Sequence, residues 1–369
     1  MRIGILVPSI GNFGQKGFYN LQEVGLAKAL DIYCSKIRVW RLIPEKEKYV
    51  KEKIADCKAA VLELIPARQI GTHGIVDFEK LDKEIDVLIC FSDTQLAVPA
   101  VYRWTKKNAI KFIPYIGVVK SNSVEGMKQK IMDALFFRNL KVYRKSYCLT
   151  KTPAVCEELK NTGVEQVMVA PIGLDISLLN KEYEKYDVFL LKQKHGYKPE
   201  DKVLLFIGRL MDEKQPIRMI EIFPNLVKKD NNYKLLMIGS GILKNDVEKT
   251  IRKEHLDSKV QLLDRIPNKD IWELYRFAEA FVNLNQHEIL GMAILEAMYY
   301  GCKVVAWNAP GPDSMIENGV SGWIVENNQQ VIEKIEDITP VGKAAHDRIM
   351  DRFLWGSTAT KIYSVLENI

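Results

Sequence analysis

The chain has 369 residues, 47% of them hydrophobic and 27% charged, an ordinary balance for a globular protein but too long for one ordinary core. No apolar run approaches ~18 residues, so no membrane-spanning helix is expected, and six scattered cysteines without a C-x-x-C pair read as reduced cytosolic thiols rather than disulfides or zinc ligands. The net charge of +6 is uneven: residues 1–175 hold 27 Lys/Arg against 19 Asp/Glu, the remainder 26 against 28, so the first half suits an anionic partner or surface.

The opening segment MRIGILVPSIG reads as a first strand, because its apolar run is too short for a signal peptide and no cleavage site follows. A helix is expected over 19–33, then strands KIRVWRLI, AAVLELI and DVLICFS, a helix over 95–108, and strands KFIPYIGVV, SYCLTK and QVMVAPIG. Between the last strands, residues 127–147 interleave Lys128, Lys130, Arg138, Lys141, Arg144 and Lys145 with Phe136, Phe137, Tyr143 and Tyr147. As a helix this stretch suits an anionic membrane or a phosphorylated acceptor; a solvated helix with its aromatics in the core is the plainer reading. Residues 171–201 are polar with little strand pattern and place a domain boundary near 173. A second series follows: KVLLFIG, a helix over 216–229, KLLMIG, a helix over 243–255, KVQLLD, a helix over 270–278, AFVNLN, an apolar helix, CKVVAW and GWIV. Two such alternations predict an α/β protein of two Rossmann-like, doubly wound parallel-sheet domains, 1–172 and 173–345, with 346–369 as terminal helix.

Chemistry concentrates in the second series. In NQHEILGMAILEAMYYG (285–301), Glu296 stands on an almost wholly apolar helix, where an ionised carboxylate is costly unless hydrogen-bonded. Glu288 lies on the loop entering that helix. Gly291 opens the first-turn N–H groups near Met292 and Ala293 to a ligand oxygen, and Gly301 closes the helix. Two acceptors so spaced suit two parts of one hydroxyl-rich ligand. Upstream, FIGRLMDEKQP (206–216) delivers Gly208 and Arg209 from a strand end, with Lys214 before Pro216 at a helix start, a cation pair suited to a diphosphate. No D-x-D triplet and no metal-ligand spacing occurs, so protein cations rather than a metal are expected to neutralise such a ligand, and no cofactor is expected. The glycines at 11, 14 and 17 lack the Ser/Thr of a P-loop, and Gly239-Ser240-Gly241 is an incomplete dinucleotide fingerprint; both read as tight turns that leave N–H groups open to a phosphate or sugar.

The combination of G-R-x(4)-K at 208–214, E-x(7)-E at 288–296 and PGPDSMIENGVSGWIV at 310–325 resembles the retaining GT-B glycosyltransferases of family 4, strongly in the second half of the chain and weakly in the first. The resemblance implies a GT-B fold, two Rossmann-like domains facing across a cleft, with the final helix crossing back to the first. It implies a nucleotide-sugar donor, a UDP-sugar by preference, transferred with retention to an acceptor hydroxyl in polysaccharide or glycoconjugate synthesis. Arg209 and Lys214 would hold the diphosphate, Glu288 the sugar hydroxyls and Glu296 the ribose. Backbone at Leu290, Gly291 and Met292 would contact sugar and phosphate, Ile266 would lie near the base, and Gly17 matches the first glycine of a donor-phosphate pair.

Departures fall on the acceptor side: Phe18 replaces the second glycine, 111–119 lacks the family's histidine, and Ser314 stands where many members carry glutamate. The expected acceptor is lipid-linked or phosphorylated, and the expected place is the cytoplasm, at the inner face of an anionic membrane. No nucleic-acid partner is expected. A non-catalytic nucleotide-sugar-binding subunit and a GT-B-type epimerase are the alternatives; the scarcity of His argues against the epimerase.

Overall fold

The computed structural model describes residues 1–10, 21–119, 126–264 and 266–368. They form two compact units, Met1–Gly173 with Leu354–Ile369, and Leu174–Phe353.

The first unit runs β1 (Arg2–Val7), α1 (Gln22–Leu30), β2 (Lys36–Pro44), β3 (Val50–Lys53), β4 (Ala60–Ala67), a small hairpin of β5 (Gln69–Ile70) and β6 (His73–Gly74), β7 (Val87–Phe91), α2 (Val98–Lys107), β8 (Lys111–Ile116), α3 (Met127–Tyr143), β9 (Cys148–Thr150), α4 (Pro153–Asn161) and β10 (Val167–Val169). Its sheet has the order β10-β9-β8-β7-β1-β2-β4-β3, parallel throughout except for β3. The central strands are near-continuous apolar runs because helices cover both faces; Ile3, Ile5 and Leu6 of β1 and Leu88 and Ile89 of β7 are fully buried. β3 (VKEK) is an exposed antiparallel edge whose charges discourage further strand pairing.

The second unit runs α5 (Val188–Lys194), β11 (Lys202–Ile207), α6 (Pro216–Lys229), β12 (Tyr233–Ile238), α7 (Lys244–Lys253), β13 (Val260–Leu263), α8 (Asn268–Phe277), β14 (Ala280–Asn283), α9 (Met292–Tyr299), β15 (Val304–Trp307), α10 (Pro310–Met315), β16 (Trp323–Val325), α11 (Asn328–Glu336) and α12 (Gly342–Arg352). The sheet is all parallel in the order β13-β12-β11-β14-β15-β16. α13 (Trp355–Asn368) belongs to the first unit, where its face packs on α1: Tyr363 stacks on Tyr33 at 4.6 Å, and Trp355 fills the space a side chain at Gly25 would need.

The doubly wound α/β architecture expected from the alternation is thus present in both units. The sequence reading does not anticipate β3, the β5–β6 hairpin, α4, α5, α10 or α11, most of which are short or polar segments with little period. The helix expected over 19–33 is seen as Gln22–Leu30, and that over 216–229 spans Pro216–Lys229, with Pro216 at its first turn. Among the described residues no helix is long and apolar enough to cross a membrane. No disulfide joins any of the six cysteines, all of which lie among the described residues.

Candidate active site at the carboxyl edge of the second sheet

The order of the second sheet reverses direction between β11 and β14, and in open parallel sheets ligands collect at the carboxyl ends of strands at such a point. The loop leaving β11 carries Gly208, Arg209 and Lys214; the loop leaving β14 carries Glu288 and leads into α9. Sequence positions about eighty residues apart are therefore brought to one edge.

They meet directly. Lys214 Nζ lies 2.5 Å from Glu288 Oε2, with the lysine and glutamate side chains 20% and 13% exposed. The lysine reaches it over Gly208, where an added Cβ would rest in ordinary contact with Lys214 Cγ at 3.6 Å. Two further donors converge on the same oxygen: Asn283 Nδ2 and Asn285 Nδ2, each at 3.2 Å. Their amide orientation is fixed by the backbone, because Asn283 Oδ1 accepts from the Asn285 N–H at 3.0 Å and Asn285 Oδ1 accepts from the His287 N–H at 2.9 Å. Both asparagines are buried. The sequence reading assigns them nothing; the N-x-N-x-H spacing, able to form two successive side-chain turns just after a strand, is the signal that could have found them. His287, adjacent to Glu288, is exposed and contributes its backbone N–H to this turn.

Arg209 is about half exposed and pairs with Glu213 at 2.5 Å, one helical turn along the same loop. The loop itself is held by Gly239 and Gly241. An added Cβ at Gly239 would come within 1.8 Å of the Gly208 carbonyl oxygen, and one at Gly241 within 2.3 Å of the Leu210 oxygen. These glycines therefore serve the close approach of the β11 and β12 loops, joined by the Leu210 N–H to the Ser240 oxygen at 3.0 Å and the Leu243 N–H to the Leu210 oxygen at 3.0 Å. The chain then turns through Gln215, left-handed at φ 54°, into α6.

The loop after β14 is braced from the other side. Gly311, at the start of α10, donates its N–H to the Glu288 carbonyl at 2.7 Å, and an added Cβ there would lie 2.8 Å from that oxygen. Ser314 Oγ donates to the Gly311 carbonyl at 2.7 Å. Gly291 is buried and opens α9, its carbonyl accepting from the Ile294 and Leu295 N–H groups at 2.8 and 3.1 Å; Leu290 and Met292 beside it are half-buried. At the far end Gly301 closes the helix at φ 70°.

Glu296 stands apart from this cluster, inside the unit and 7% exposed. Tyr275 donates to its Oε2 at 3.3 Å and stacks on Tyr300 with ring centroids 6.0 Å apart. Burial pushes the Glu296 carboxyl up to about 7, partly opposed by the Tyr275 hydrogen bond. The Tyr275 hydroxyl is held well above its ordinary value by burial and by the neighbouring carboxylate. Ile266 is half-buried between β13 and α8. Gly17 lies outside the described residues, as do Gly11, Gly14 and Phe18. In the first unit, Asp93 after β7 accepts from the Gly117 and Val118 N–H groups at 2.6 and 3.1 Å, tying two carboxyl-edge loops together.

Residues 187–349 match the family model described as glycosyl transferases group 1. Curated relatives include spore coat protein SA of Bacillus subtilis (strain 168), 27% identical over 183 residues covering 45% of this chain and 48% of that protein. Another is alpha-monoglucosyldiacylglycerol synthase of Acholeplasma laidlawii, 23% identical over 178 residues, 48% of this chain and 44% of that protein. Each of these matches spans about half the relative's length. Among solved structures, Anabaena Alr3699/HepE in complex with UDP and glucose aligns over 100% of both chains at 16% identity and a TM-score of 0.70. Sucrose-phosphate synthase from Thermosynechococcus elongatus aligns over 100% of this chain and 99% of that one at 14% identity and a TM-score of 0.78. Residues 187–349 are therefore similar to glycosyl transferases group 1, and the chain has the two-unit GT-B fold.

Proposed function

We propose that the chain is a retaining, metal-independent glycosyltransferase that moves a sugar from a nucleotide-diphosphate sugar to an acceptor hydroxyl in polysaccharide or glycoconjugate synthesis. The observation that carries this reading is the meeting of Lys214 and Glu288 where the second sheet reverses its strand order. Lys214 and Arg209 neutralise the departing diphosphate, Glu288 accepts from the sugar hydroxyls, and Glu296 accepts from the ribose. The N–H groups of Met292 and Ala293 at the start of α9 add donors for sugar or phosphate oxygens. In the transfer, the bond from the anomeric carbon to the diphosphate oxygen breaks and the acceptor oxygen bonds that carbon on the same face. The acceptor proton leaves on the departing phosphate.

A UDP-sugar is the favoured donor, a reading supported by Anabaena Alr3699/HepE having been solved with UDP-glucose. The favoured acceptor is anionic or lipid-linked. On α3, Met127, Ile131 and Phe137 are 76%, 53% and 61% exposed, and Lys130 and Lys141 share their side of the helix, a pattern suited to an anionic lipid surface.

Thermal-shift screening against a panel of nucleotide sugars, followed by an assay for acceptor-dependent nucleoside diphosphate release, tests the reading. One nucleotide sugar is expected to raise the melting temperature and to be consumed in the presence of acceptor. Binding without release with every acceptor class tried contradicts transfer and favours a binding subunit; conversion of the free nucleotide sugar to its epimer favours an epimerase.

A further inference from the structure

We propose that Lys214 is a partner-switching cation. Glu288 holds its charge in the donor-free site, a diphosphate draws it away, and Asn283 and Asn285 keep the carboxylate in place when it leaves. The inference rests on the donor reading above and adds to it an order of charge pairing and two positioning residues.

The geometry separates fixed donors from a movable one. All three act on Glu288 Oε2, Lys214 at 2.5 Å and the two asparagines at 3.2 Å. The asparagines are buried and have their Oδ1 atoms committed to backbone N–H groups, so their Nδ2 groups cannot turn elsewhere without breaking the loop. Lys214 instead ends a flexible four-carbon stem lying over Gly208, a site without a side chain to confine it. An approaching diphosphate competes for that ammonium. Losing a partner ordinarily strands a partly buried charge at considerable cost. Here the carboxylate retains two amide N–H donors, which lowers the cost of releasing Lys214. Arg209 is held in the same manner by Glu213, so both loop cations are paired to carboxylates before any ligand arrives.

The consequence is a coupling measurable without turnover, because residues that do not touch the nucleotide alter its affinity through the Lys214–Glu288 pair. Titration calorimetry with UDP, a probe lacking the sugar, is the experiment. Glu288→Gln removes the competing charge and is expected to tighten UDP binding about five-fold or more. In a Lys214→Met background that gain disappears; if Glu288 acted only by repelling the anion, it would persist. Asn285→Ser keeps an oxygen for the His287 N–H and loses the donor to Glu288, so it strengthens the hold on Lys214 and is expected to weaken UDP binding about three-fold. Asn283→Ser serves as the second variant should that one fail to fold, as judged by its melting transition. Combined with Glu288→Gln, either serine variant is expected to have no further effect. Wild-type binding with no gain in Glu288→Gln, or an asparagine effect that survives in the double variant, overturns the switch alone. Failure of wild type and Glu288→Gln to bind any nucleoside diphosphate overturns the donor reading together with it.

Discussion

Glu288 and Glu296 are eight positions apart, yet one is met by a cation and two amides and the other by burial and a tyrosine. That difference gives each its own test. The Glu296 carboxyl, raised to about 7 from an ordinary value near ~4.3, is protonated in the fold where it is already ionised in the unfolded chain. The stabilisation is therefore complete below the unfolded value and is lost as the pH rises through about 7. Glu296→Gln, neutral at every pH, is expected to gain stability over wild type by about 1–3 kcal/mol between pH 5 and 8; a constant difference across that range in thermal melts contradicts the assignment. For catalysis, Glu288→Ala is expected to abolish transfer while the fold survives, and Arg209→Ala to weaken diphosphate binding about ten-fold, the loss of one charge-assisted contact. Full turnover in the first or unchanged affinity in the second removes that residue from the site. Burial of Glu296 was legible from its apolar neighbours, and the place of Lys214 at the sheet edge from its spacing before a helix-starting proline. The clamp from Asn283 and Asn285 was not, because it depends on side-chain turns that only the folded loop makes definite.

At the level of elements, long apolar strands and periodic helices were read correctly because both faces of each sheet are covered and the runs are unbroken. α10 escaped notice because PGPDSM looks like a turn, although its two prolines fit a short helix that starts at Pro310. The glycine-rich turn after β12 was expected to offer N–H groups to a ligand; the Gly239 N–H instead donates to the Leu263 carbonyl at 2.9 Å, and its tight packing against the β11 loop gives Gly239 a structural duty. Gly239→Ala forces a methyl group onto the Gly208 carbonyl, so it is expected to destabilise the protein by about 2–4 kcal/mol and lower its melting temperature by several degrees. Gly311→Ala pushes instead on the Glu288 carbonyl, and is expected to reduce turnover more than stability. Circular dichroism melts and steady-state kinetics on the same two variants check this contrast; equal melting losses with unaffected turnover would show that Gly311 does not brace the site.

For the whole molecule, two rounds of strand–helix alternation in the sequence became two doubly wound sheets, while the placement of α13 with the first unit entered the sequence reading only through the family resemblance. On the proposed reading an anionic acceptor would meet the more basic first half, where α3 carries an exposed apolar and basic face. Binding to vesicles containing anionic lipid is expected to fall as salt rises from 0.05 to 0.5 M, by about ten-fold or more, and to weaken further in Ile131→Ser/Phe137→Ser. Salt-independent binding, or none, removes the membrane from the account. The central claim concerns the second unit: a nucleotide sugar binds at Lys214 and Glu288. Calorimetric titration of wild-type protein and Lys214→Ala with UDP-sugars tests it most directly. Binding by the wild type that weakens about ten-fold or more in Lys214→Ala is the predicted result; equal affinity in the two proteins would contradict it.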